Sequence, residues 1–281
     1  MNLRNQIGGF IVLNCVILCI FGWHGESMPD TSRRCMSRSS FETLRYNRIN
    51  MAQDLYSSIV VQGADALEFL QGQLTADLAG LLPGQSLLSA WCNPKGRVIC
   101  LLRVTATGSG YTLALPTELA DDVIKRLTLF RFRSKVEFTV RPATEAESGL
   151  DPDAIEAGLL QRLRDGVPEI WRAQSEKFTP HMLNLDLLGA VSFDKGCYTG
   201  QEVVARTHYR GSSRRRLLRF VSTSPVRPGD KVADGDRDVG EVLNAVGSDL
   251  LAVVPVDNSG AELSVSGIIL SNRPLPYLKE E

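Results

Sequence analysis

Phe193-Asp194-Lys195-Gly196-Cys197-Tyr198-Thr199-Gly200-Gln201-Glu202-Val203-Val204-Ala205-Arg206 is the stretch on which the reading of this chain turns. Thr199 followed three residues later by Glu202 has the spacing of a capping box, so a helix is expected to start at Gly200. Cys197 then stands just before a helix N-terminus, where unpaired N–H groups and the helix dipole favour an anion. Lys195 and Arg206 add positive charge. Together these features predict a thiol with raised thiolate character. Gly196 and Gly200 allow a close backbone approach to a ligand. Composition alone leaves a plainer reading open, in which Cys197 is a small residue buried beside a tight turn.

Upstream of this stretch the hydrophobic periodicity alternates between strand and helix. Tyr56–Val61, Ser86–Trp91, Arg97–Thr105, Tyr111–Leu115 and Lys135–Arg141 read as strands. Ala66–Leu82 carries Leu67, Leu70, Leu74 and Leu78 near the helical period and is expected to be one amphipathic helix ended by Pro83-Gly84. Thr117–Leu129 reads as a helix capped by Thr117, and Asp153–Leu163 as another. Strands interrupted by single helices predict an α+β body with an antiparallel sheet. From Arg216 the pattern changes to short strands about ten residues apart: Leu217–Ser222, Asp230–Ala233, Val239–Ala245, Leu250–Val256 and Leu263–Leu270. That spacing predicts a small β-barrel or sandwich. The boundaries expected are 1–50, 51–213 and 214–281.

The net charge of -1 does not advertise a polyanion partner. No pair among Cys92, Cys100 and Cys197 has CxxC spacing, so neither a structural zinc site nor a stable cluster-binding run is expected. The body reads as a reduced domain of cytoplasmic type. Ile7–Trp23 carries no charge and is followed by Arg33, Arg34, Arg38, Arg45 and Arg48. This extension reads as a secretory core, a short anchor or an over-read start with translation beginning at Met51. The third reading is preferred, because patterned sequence starts there. A membrane partner is expected only if residues 1–50 are real.

Lys195-Gly196-Cys197-Tyr198-Thr199-Gly200-Gln201-Glu202 with Arg206 resembles the signature of the YgfZ family, relatives of the glycine-cleavage T protein. Phe69-Leu70-Gln71-Gly72-Gln73-Leu74-Thr75-Ala76-Asp77, Trp91-Cys92-Asn93-Pro94-Lys95-Gly96-Arg97, Pro180–Leu185 and Pro274-Leu275-Pro276-Tyr277 resemble further family landmarks. The resemblance implies a T-protein-like, folate-binding body with antiparallel sheets and a C-terminal β-barrel. It implies tetrahydrofolate, or a one-carbon derivative, as ligand. It implies a role in assembly or repair of iron–sulfur enzymes, including one that thiomethylates tRNA, with Cys197 as the functional thiol. Those enzymes or their assembly factors are the expected partners, without stable nucleic-acid binding by this chain.

Aligned on Asn93–Gly96, Cys100 and Leu101 stand where the T protein has an Asp-Asp pair, and Arg164 where it has a pterin-reading glutamate. Neither a thiol nor an alkyl group replaces a carboxylate as base or charge partner. Aminomethyl transfer is therefore the runner-up reading. The motif residues Lys195, Gly196, Tyr198, Gly200, Gln201, Glu202 and Arg206, with Asn184, are the candidate folate contacts. Arg206, Arg210, Arg214, Arg215, Arg216 and Arg219 form a basic run, in which Arg210 and Arg214 are the candidate anion contacts; the run could grip the carboxylates of a folate tail, contact RNA phosphates or simply face solvent.

Overall fold

The computed structural model describes residues 55–211, 213–258 and 262–278. The expectations for residues 1–50 lie outside the described residues. The body is built on a five-stranded antiparallel sheet. Its strands are β1 (Tyr56–Gln62), β2 (Ser86–Cys92), β3 (Val98–Thr107), β4 (Gly110–Pro116) and β5 (Glu137–Pro142), in the order β2-β3-β4-β1-β5. Helices α1 (Ala66–Gln71) and α2 (Thr117–Phe130) cover one face. Side chains alternate across the sheet, as the pleat requires. Cys100, Leu102 and Val104 of β3 pack with Phe69, Leu70, Leu119, Val123 and Leu127. Leu101 faces the other way, into a second core.

Helix α1 is shorter than the leucine spacing predicts. It stops at Gln71, and the chain turns to lay Leu74 beside Trp91 and to donate Thr75 N–H to the Ala90 carbonyl. Leu74 and Leu78 are still buried, but from an irregular segment fixed by sheet contacts. Local periodicity is overridden because Thr75 Oγ1 donates to the Ala190 carbonyl and accepts from Ala90 N–H. At α2 the N-cap is Pro116, and Thr117 is already helical. Beyond β5 come α3 (Glu145–Ser148) and α4 (Ile155–Arg164), then a loop region with a 3-10 turn at His181–Leu183, then α5 (Gln201–Arg210).

The C-terminal part is a closed barrel. Its strands are β6 (Arg215–Ser222), β7 (Lys231–Asp234), β8 (Arg237–Val246), β9 (Asp249–Pro255), β10 (Leu263–Val265) and β11 (Ile268–Arg273), ordered β10-β11-β6-β9-β8-β7. The single strand expected over Leu263–Leu270 is a hairpin. Ser266 and Gly267 both have positive φ, 49° and 82°, the geometry of a tight two-residue turn. Phe220, Val232, Val242 and Val254 fill the barrel. Leu217, Leu243, Leu251 and Val253 instead join Ala90, Cys92, Leu101, Leu163 and Leu183 of the body in one shared core. Polar ties reinforce it. Asn244 and the backbone of Glu169 exchange two hydrogen bonds of 2.9 Å, and Arg216 grips Asp186 in a fork at 2.7 and 3.0 Å.

Candidate functional site

The landmarks separated in sequence meet in space. Gly200 is at φ 81°, and its Cα lies so close to the Asn93–Gly96 turn that an added Cβ would stand 2.4 Å from the Asn93 carbonyl oxygen. Gly96, at φ 68°, abuts Val203 of α5 in the same way. Only glycine fits both requirements. The turn is itself fixed: Asn93 Oδ1 accepts from Lys95 and Arg97 N–H at 3.0 Å, and Asn93 Nδ2 donates to Glu176 at 2.7 Å. Glu176 also accepts from Arg126 at 2.7 Å. The bonds from Asn93 and Arg126 hold its carboxyl below the usual range. Glu176, at φ 63°, carries no sequence signal that points to this role.

The first landmark closes on the same place. Thr199 N–H donates to the Gly72 carbonyl at 3.3 Å, and Ser192 N–H to the Thr75 carbonyl at 2.9 Å. Lys195 Nζ donates to the Leu74 and Ala76 carbonyls, each at 2.8 Å, and stands 5.5 Å above the Tyr198 ring. Burial lowers its pKa to about 8, against a smaller opposing pull from Asp77. Thus Lys195 clamps the Leu74–Ala76 segment.

The helix begins where the sequence placed it, but not for the expected reason. α5 runs from Gln201, with Gly200 at the N-cap and no side-chain cap. The Thr199–Glu202 capping box does not form, because a positive-φ glycine occupies the cap position. Instead Gln201 Oε1 accepts from Tyr198 N–H at 3.3 Å, and Thr199 turns its hydroxyl toward Gln73. A capping box does form elsewhere, at Thr144 and Glu147.

Around this junction the cysteines divide. Cys197 and its neighbour Gly196 are exposed, which removes the reading of Cys197 as a buried turn residue. Cys92 and Cys100 are buried, and burial pushes the Cys92 thiol up to about 12. Tyr198 is buried with its hydroxyl unpartnered among the described residues, and burial, helped by Cys92, raises its pKa. Trp91 Nε1 is likewise buried without a partner.

Other candidates fall into place individually. Asn184 is fully buried at φ 56° and donates to the Leu217 carbonyl at 2.8 Å and to Tyr277 at 3.2 Å, so it ties the body to the barrel. The basic run is split. Arg216 and Arg219 are taken up by Asp186 and Asp249, whereas Arg206, Arg210 and Arg214 are exposed. Glu202 is exposed on the first turn of α5. Cys100 and Leu101 are core residues, and Arg164 pairs with Asp249 at 3.4 Å. A groove of about 670 Å³ beside α3 and α4, lined by Thr144, Glu145, Gly149, Asp151 and Gly158, contains none of the motif residues. Among the described residues, no three His, Cys, Asp or Glu side chains group as metal ligands, and no helix is long and apolar enough to cross a membrane.

An antiparallel α+β body sharing its core with a closed six-stranded barrel defines a protein of the glycine-cleavage T-protein fold. The crystal structure of glycine cleavage system aminomethyltransferase T from Bartonella henselae superposes with a TM-score of 0.61 at 19% identity, covering 79% of this chain and 84% of that one. Residues 214–275 match the family described as CAF17, C-terminal beta-barrel domain. The tRNA-modifying protein YgfZ of Hamiltonella defensa is 30% identical over 246 residues, covering 66% of this chain and 70% of that protein. Its namesake from Klebsiella pneumoniae is 28% identical over 305 residues, covering 82% and 93%. This chain belongs to the YgfZ family.

Proposed function

We propose that the protein is a folate-binding accessory factor that serves iron–sulfur enzymes, among them enzymes that thiomethylate tRNA, with Cys197 as its working thiol. The observation that carries this reading is the convergence of the Gly72–Ala76, Asn93–Gly96 and Lys195–Gln201 segments, which leaves Cys197 exposed beside them. The unpartnered hydroxyl of Tyr198 and indole N–H of Trp91 suit a ligand that, like a pterin, carries both donors and acceptors. Tyr198, Gly200, Gln201 and Glu202 are the motif residues assigned to it. Arg206, Arg210 and Arg214 are suited to the carboxylates of its tail. Residues 51–213 would hold the ligand, and residues 214–281 would brace them.

The alternative, aminomethyl transfer, is disfavoured because Cys100 and Leu101 are buried core side chains with no carboxylate to offer. Calorimetry of the full chain with tetrahydrofolate is the test. Binding with Cys197→Ser unchanged in affinity but unable to restore iron–sulfur enzyme activity is expected. Absence of tetrahydrofolate binding sinks the folate half of the reading. Full restoration by Cys197→Ser sinks the thiol half.

A further inference from the structure

The junction after α2 is rich in aromatic and basic side chains. Lys125-Arg126-Leu127-Thr128-Leu129-Phe130-Arg131-Phe132-Arg133-Ser134-Lys135 alternates aromatic and basic residues, and no acidic residue lies between Asp122 and Glu137. The structure turns this stretch outward. Leu129 is 74% exposed, Phe130 38% and Phe132 86%. Phe130 sets its ring edgewise on Trp91, 6.3 Å between centroids, which anchors the base of the tip. Arg131 to Ser134 forms a turn closed by Ser134 N–H on the Arg131 carbonyl at 2.8 Å, and Phe132 occupies its first central position at φ 42°. That position ordinarily takes glycine. A bulky side chain there is strained, and this one buries nothing in exchange. Lys125, Arg133 and Lys135 form no ion pair among the described residues, while Arg126 is held by Glu176 and Arg131 reaches the Val136 carbonyl. At the base of the tip the Asp65 carboxylate accepts from Lys135 N–H, a backbone bond that leaves the Lys135 ammonium free of it.

The geometry points to a binding surface for single-stranded nucleic acid, with Phe132 as a stacking platform and Arg133, Lys135 and Lys125 on the phosphates. An exposed ring projecting from a turn can stack on any base, and unpaired cations beside it neutralise the backbone. An acidic protein partner would need the cations but not the projecting ring. This goes beyond the folate and thiol reading and needs neither group. It departs from the expectation drawn from the whole-chain charge, because the cations are local.

The test is fluorescence anisotropy of the full chain with a labelled single-stranded oligouridylate, at about 50 and about 200 mM salt. Saturable binding that weakens with salt is expected, and a duplex of matched length should bind less well. Phe132→Ser should weaken binding about 5- to 150-fold, the loss of one stacked base. Arg133→Ser should flatten the salt dependence by about 0.7 in log–log slope. Arg237→Ser, an exposed barrel cation, should change neither. Unaltered urea midpoints will show that the variants fold. No anisotropy rise at low salt overturns the proposal, as does a rise that Phe132→Ser and Arg133→Ser leave intact. Phe132-dependent binding to phosphatidylserine vesicles without oligonucleotide binding also overturns it, and gives the tip to a lipid surface.

Discussion

Gly200→Ala and Gly196→Ala are the same chemical change four residues apart in one motif, and the structure assigns them opposite outcomes. At Gly200 the backbone is at φ 81°, where a β-carbon costs about 1–2 kcal/mol. The new methyl would also stand 2.4 Å from the Asn93 carbonyl oxygen, with two further backbone atoms of Gly96 at 3.2 Å. Relieving that overlap means moving a turn held by the bonds of Asn93 to Lys95, Arg97 and Glu176. Forced displacement of a packed segment costs about 1–3 kcal/mol. Together these give a loss of about 2–5 kcal/mol, which urea unfolding reads as a lowered midpoint at constant slope. At Gly196 nothing lies within 4 Å of the added carbon and φ is not positive, so stability should change by no more than about 0.5 kcal/mol. Tetrahydrofolate binding should fall for Gly200→Ala, through loss of the junction. If Gly200→Ala loses less than about 1 kcal/mol, or Gly196→Ala loses as much as Gly200→Ala, the packed-junction argument is wrong.

Glu147 offers a pH test. Burial pushes its carboxyl up, but the bidentate Arg141 fork and bonds from Thr144 and Ser58 outweigh that and hold it at about 2. A depressed carboxyl stabilises the fold above its unfolded pKa and loses that contribution as pH falls from about 4.5 to about 2. Arg141 is 41% exposed, so screening reduces the effect to about 2 kcal/mol, and Glu147→Gln should abolish this acid-side slope in urea midpoints. Lys195 runs the other way. Its pKa of about 8 means the fold binds its proton less tightly than the unfolded chain, so stability should rise by about 1 kcal/mol, after screening, between pH 8 and 10. That rise should be missing in Lys195→Met. Phe132→Gly relieves a positive φ at an exposed turn and should raise the thermal midpoint, by about 0.5–1 kcal/mol in stability, after the entropy cost of glycine.

The sheet and barrel were legible because their residues obey local rules. Apart from Leu263–Leu270, which is a hairpin, each strand expected from alternation stands within a few residues of its observed bounds, since one face of each is buried and period two leaves little freedom. Where tertiary contacts overrule local pattern, the reading went astray. The leucines after Gln71 have helical spacing, but Thr75 is claimed by the sheet and by Ala190. Thr199 and Glu202 have capping spacing, but the cap position needs a glycine that can lie against Asn93. Resemblance brought the right segments together without saying how they touch. That Lys195 clamps backbone carbonyls, and that Glu176 anchors the opposing turn, depends on partners more than eighty residues away. The basic run after Arg206 read as one patch, yet two of its arginines are consumed by Asp186 and Asp249.

The core common to body and barrel bears on modularity. A boundary near residue 213 is visible in strand spacing, yet Leu217, Leu243, Leu251 and Val253 point out of the barrel and into the body. A barrel excised at that boundary would present these side chains to water as a continuous apolar face, and would self-associate rather than stand alone. The body would be left with Cys92 and Leu101 uncovered. Unfolding should therefore be a single cooperative event, reported identically by probes in either part. Insertions that lengthen this architecture are best tolerated in exposed turns such as Gly108-Ser109, and substitutions across the seam should be strongly coupled.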